Sequence, residues 1–232
     1  MPALQRGEWA FLALILVYSF IPAVVGLFRV PELIGGPALV PQNARALSAP
    51  TPIVLHILSS SLFCLLGAGQ FLPSVRRRHA AMHRNLGRLV AAAGCLSALS
   101  GLWMTLVFTF PPALQGPLLF WVRIAVGVAM FGFIVRAVIA IRARDTAVHR
   151  AAMLRAYAIG QGASTQTLVF LTALAVFGTE LLGLQRDIAM TLAWAINLIV
   201  AELLVRRIPA PRTVPKLAAA GPYRRRPARE PQ

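Results

Sequence analysis

Residues 118–141 read LLFWVRIAVGVAMFGFIVRAVIAI. The run is long and apolar enough to cross the hydrocarbon of a bilayer as one helix. It is continuous rather than alternating, which argues against a barrel strand. Five further segments of the same kind surround it, at about 9–28, 53–73, 86–110, 152–179 and 188–205. The expected fold is therefore an all-α membrane protein, a bundle of six transmembrane helices filling residues 1–205. The remainder, 206–232, reads as a basic, Pro/Arg-rich disordered tail.

Composition agrees with that reading. Hydrophobic residues make up 58% of the 232 positions, against about 45–50% in soluble domains. Charged residues are only 13%, so a second soluble domain does not fit. The net charge of +16 comes from clustered arginines beside apolar runs. Such clusters meet anionic lipid headgroups and set topology. No polar, foldable stretch is present to carry a nucleic-acid motif, so nucleic acid is not an expected partner. A homo-oligomer stays open. Cys64 and Cys95 both fall inside apolar runs, which excludes a secreted disulfide framework. The first run follows a single arginine, is long for a signal-peptide core, and reads as an uncleaved span. Pro22 inside it suggests a kink. Between spans one and two, residues 29–52 are too rich in Pro and Gly for long regular structure.

Charge then orients the chain. Arg76, Arg77, Arg78 and Arg84 lie between spans two and three; Arg142, Arg144 and Arg150 lie between spans four and five. The tail adds Arg206, Arg207 and more. The opposing links are nearly neutral, with Arg186 and Asp187 cancelling in the last. Both termini are expected to be cytoplasmic, in a bacterial cytoplasmic (inner) membrane.

The two basic links nearly repeat each other. One reads Arg76-Arg77-Arg78-His79-Ala80-Ala81-Met82-His83-Arg84; the other reads Arg142-Ala143-Arg144-Asp145-Thr146-Ala147-Val148-His149-Arg150. Each places a His-Arg pair at the entry to a span. Two imidazoles on neighbouring helices at one depth can be axial ligands of a b-type haem. Arg84, Arg150 and Arg155 can hold its propionates through charge-assisted hydrogen bonds. The plainer reading is His and Arg at a helix start, reaching for lipid phosphates. His56, His83 and His149 are also the candidate metal ligands, with His56 near the opposite membrane face.

Polar groups inside spans are costly and are site candidates by default. They include Gln70, Arg123, Gln166, Asn197 and Glu202, with Gln161 and Thr165. By depth, Glu180 is the expected partner of Arg123. Glu202, one turn before Arg206, suggests a helix-local ion pair. The amides either bridge helices or line a polar cavity. Gly67, Gly94, Ala98 and Gly101 permit close helix approach. No Walker loop, Cys-x-x-Cys-His or nucleophile elbow is present, so nothing points to hydrolysis or nucleotide binding.

Taken together, several strings resemble the bacterial membrane family called domain-of-unknown-function family 2306. They are Gly67-x-x-Gln70-Phe71-Leu72-Pro73, His83-Arg84-x-x-Gly87-Arg88, and His149-Arg150-x-x-Met153-x-Arg155-x-Tyr157-Ala158. Gly162-Ala163-Ser164-Thr165-Gln166 and Trp194 through Glu202 resemble one branch of it. Ala152 departs from the pattern, where the resemblance implies Trp. The family brings no activity to carry over. In architecture the chain is also similar to six-span b561-type cytochromes, whose ligands pair spans two with four and three with five. His83 and His149 fit the second pair, whereas span four has no histidine. The open functions are an integral membrane protein without catalytic chemistry, a b-haem redox protein, and a small-solute carrier or sensor. If the chain is an enzyme, it is a membrane oxidoreductase.

Overall fold

The computed structural model describes residues 5–37 and 47–208. Expectations for the linker between 38 and 46, and for the tail from 209, lie outside them. The helices are α1 (Arg6–Leu33), α2 (Pro50–Gln70), α3 (Pro73–Arg78), α4 (Ala80–Val107), α5 (Pro117–Arg142), α6 (Thr146–Gly160), α7 (Gly162–Phe177) and α8 (Gly183–Val205). Among the described residues there are six spans long and apolar enough to cross a membrane, the fifth made of α6 and α7 end to end. Among the described residues there is no strand.

The spans form a ring around α6. Helix α1 packs on α2, α2 on α4, α4 on α5, α5 on α8, α8 on α7, and α7 back on α1, while α6 packs on α5 and α8. Helix α6 also touches α2, so the first half of span five runs through the middle. Phe63, Val90, Ile134, Ala156 and Tyr157 make the core. Two rings are keyed into glycines. A Cβ at Gly94 would lie 2.6 Å from the Phe63 ring and 2.7 Å from Ile134; one at Gly67 would lie 2.7 Å from Tyr157. Outside, Val17, Phe20, Val128, Ile139, Leu168, Val176 and Ile199 stand exposed around the waist. An apolar exterior of this extent belongs in lipid.

The helices begin earlier than the apolar runs. Helix α4 starts at Ala80 and α6 at Thr146, both six residues or so before hydropathy rises. Lipid selects apolar side chains, whereas backbone hydrogen bonding and caps decide where a helix starts. Helix α1 likewise runs on through Pro22 and Pro31 to Leu33. The expected irregular linker is therefore shorter than residues 29–52. Span five, read as one helix, is divided at Gln161, between Gly160 and Gly162. Glycine within a helix costs about 1 kcal/mol relative to alanine, which weakens this point.

Two carboxylates fasten the ends. Asp187, only 2% exposed, accepts from the amides of Gly116 at 3.0 Å and Leu119 at 3.1 Å, capping α5 from α8. Arg186 and Asp187 both lie inside α8 and not in a link, and Asp187 still acts on the Arg186 charge. At the arginine-rich end, Glu8 of α1 accepts from the Ser74 amide at 2.7 Å and the Ser74 hydroxyl at 2.5 Å, tying α1 to α3. Asp187→Ala strands two amides in a buried place. It is expected to cost about 2–3 kcal/mol, read as a lower melting temperature in detergent. Asp187→Asn, which keeps one acceptor oxygen, should recover part of the loss.

Candidate functional site

The repeated sequence is a repeated helix start. His79 is the N-cap of α4, and Asp145, at the matching position, is the N-cap of α6. The amide of His83 donates to the His79 carbonyl at 2.9 Å, and that of His149 to the Asp145 carbonyl at 3.1 Å. The Asp145 carboxylate also accepts from Val148 N at 3.0 Å. Each histidine thus sits in the first turn of its helix. The blocks before them differ: Arg76–Arg78 close the short helix α3, whereas Arg144 turns the chain at φ 60°.

These starts place both histidines at the arginine-rich end of the bundle. The His83 and His149 rings lie within electrostatic reach of one another, and Arg76 and Arg84 act on His83 as well. Burial, then the nearby Arg150 and Arg77, hold the Arg76 guanidinium below its ordinary pKa. Among the described residues, neither Arg76, Arg84 nor Arg150 forms an ion pair with a carboxylate. The His149 Nδ1–H donates to the Ala137 carbonyl of α5 at 2.9 Å. A carbonyl can only accept, so Nε2 keeps the free lone pair. His83 Nδ1 and Gln70 Nε2 are buried without a hydrogen-bond partner. Gln70 lies along Gly87, one turn beyond His83. Leu86 and Met153, about a turn inward from the two histidines, pack on the apolar core.

The other candidates lie elsewhere. Arg155 donates from Nε at 3.0 Å and Nη2 at 2.7 Å to one Glu202 oxygen, an interhelical pair between α6 and α8. Glu202 therefore binds across helices and not to Arg206, and Arg155 is turned away from the gateway. His56 Nδ1–H donates to the Ser97 carbonyl at 3.0 Å, and its ring rests on Gly101. Gly101 lies eighteen residues along α4 from His83, about 27 Å of helix. The three histidines cannot share one metal ion. Among the described residues no three His, Cys, Asp or Glu side chains gather as a metal site. Arg123 bonds Gln115 and lies 5.1 Å over the Phe110 ring, while Glu180 acts on Arg186.

The intramembrane amides bond to neighbouring helices at the break in span five. Three successive carbonyls there take side-chain donors. Ala158 O accepts from Asn197 Nδ2 at 3.2 Å, Ile159 O from Trp194 Nε1 at 3.2 Å, and Gly160 O from Cys64 Sγ at 3.4 Å. The Trp194 indole occupies the space a side chain at Gly162 would need. Thr165 Oγ1 donates to Asn197 Oδ1 at 2.7 Å, and Gln166 Nε2 to the Met190 carbonyl at 3.4 Å. Gln161 Oε1 accepts from Ser19 at 3.0 Å and Ser164 at 2.8 Å, while its Nε2 donates to the Tyr157 hydroxyl at 2.9 Å. Sequence reasoning did not find this break. Its signal was the Gly-Gln-Gly triplet, with Trp194 and Asn197 one helical face apart from it.

Asn197→Leu removes the side-chain donor to the Ala158 carbonyl and one of two partners of the Thr165 hydroxyl, which keeps Tyr18. It is expected to destabilise the fold by about 1–2 kcal/mol, measured by thermal unfolding in detergent, without altering membrane insertion.

Comparison with known proteins adds one match. Residues 53–205 match the family described as "Predicted membrane protein (DUF2306)". Comparisons with curated proteins and with solved structures gave no match. The matched stretch runs from the first turn of α2 to the end of α8 and takes in both gateways and the seam between spans five and six. It covers well over half of the chain, which therefore belongs to this family of integral membrane proteins.

Proposed function

We propose that this membrane protein is a single-haem, b-type redox protein in which His83 and His149 would hold the haem. Three observations support the reading: both His-Arg pairs open helices at the same end of the bundle, the two imidazoles lie within electrostatic reach, and in neutral His149 the Nδ1–H bond to Ala137 leaves the lone pair on Nε2. A second-shell carbonyl of this kind sets the tautomer of a ligating histidine. His83 differs, because its Nδ1 is buried without a hydrogen-bond partner. Arg76, Arg84 and Arg150, not engaged by carboxylates, suit a ligand with two carboxylates. When bound, haem supplies one-electron chemistry. The chain's own part is ligation, charge neutralisation and an apolar wall from Leu86 and Met153.

The reading is for one haem, not two. His56 stands alone at the far end, and α5 offers no histidine opposite it. A carrier cavity has less support, because Gln161, Thr165, Gln166 and Asn197 bond neighbouring helices. The proposed orientation places the arginine-rich end, and both termini, on the cytoplasmic side of a bacterial inner membrane.

Protein from haem-replete cells, purified in detergent, should show a Soret band with about one haem per chain. His83→Ala and His149→Ala should lose most of it, and His56→Ala should keep it. A colourless wild-type protein that still melts cooperatively would overturn the reading. For orientation, a fluorescent-protein fusion to Gln232 should be bright and a periplasmic phosphatase fusion inactive; the reverse result refutes it.

A further inference from the structure

A second site lies on another face of α6. A cavity of about 280 Å³ opens between α5, α6 and α8 at the arginine-rich end. Its walls are the small and apolar side chains of Ala147, Val148, Ala151, Ala152, Val205 and Ile208, with Arg136 and Arg155 as its cations. Val148, Ala151, Ala152 and Arg155 recur at helical spacing, whereas His149 is turned about 100° from Val148. The cavity is thus distinct from the gateway.

Its charge is specific. Arg155 gives Nε and Nη2 to one Glu202 oxygen and keeps Nη1. Arg136 is exposed and makes no ion pair among the described residues. Two guanidiniums against one carboxylate leave a single positive charge beside apolar walls. That matches a phosphodiester, which carries one negative charge and, in a lipid, adjoins apolar chain. The buried Ala152 matters here. It lines the cavity and is only 2% exposed.

We infer that this pocket binds a phosphate-bearing anion of the kind found in anionic phospholipid headgroups, held by Arg136 and Arg155 between α5, α6 and α8. The test uses the full chain in maltoside micelles, titrated with phosphatidylglycerol, phosphatidylcholine or inorganic phosphate while melting temperature is followed. Phosphatidylglycerol should stabilise the wild type well beyond phosphatidylcholine. Arg136→Ala should weaken that effect at least about five-fold, and Ala152→Leu should do the same by filling the cavity. Arg142→Ala, at the same membrane end but outside the pocket, should behave as wild type. Inorganic phosphate that reproduces the shift in wild type but not in Arg136→Ala supports the site and assigns a soluble source. Equal stabilisation by the two lipids, an unchanged response in Arg136→Ala, or an equal loss in Arg142→Ala overturns it.

Discussion

Side-chain donors from neighbouring helices converge on the carbonyls where span five breaks, and much of this bundle is arranged around that contact. Span five is cut at Gln161. Asn197, Trp194 and Cys64, from α8 and α2, supply donors to Ala158, Ile159 and Gly160 in turn. Those bonds draw α8 and α2 onto α6 and make it the centre of the ring. The absence of a side chain at Gly162 admits the Trp194 indole. The strings Gly162–Gln166 and Trp194–Glu202 are therefore two sides of one seam, which Arg155 and Glu202 extend toward the arginine-rich end.

The seam and the gateway share α6 but use different faces. One face holds the break and the core contact of Tyr157 with Phe63 and Phe71. Another holds His149 within electrostatic reach of His83, and a third opens to Arg136. A rigid central helix is a good support for a ligand site, because its side chains keep their spacing. Glu8 on Ser74 and Asp187 on Gly116 and Leu119 add restraint at the two membrane ends.

Much of the architecture was legible from hydropathy. Six apolar runs imply six spans, since only continuous apolar segments of this length suit a bilayer. The matched gateways were visible as a repeat. What the repeat meant was not, because a helix start is a matter of backbone bonding. His79 and Asp145 occupy the same N-cap position with different side chains. Partner choice was less legible still. Glu202 has Arg206 one turn away in sequence, yet bonds Arg155 across helices. Arg123 has Gln115 and Phe110 within reach, not Glu180.

By itself the sequence determined the class, the number of spans and the clustering of arginine at one end. These depend on transfer of side chains between water and lipid, which is a property of each segment alone. Only the tertiary structure decided that Arg155 belongs to Glu202, that Asp187 caps α5, and that span five is two helices. Those depend on which faces of separate helices meet. Within a membrane that choice is made by packing of small residues and by hydrogen bonds between helices, which no single segment encodes.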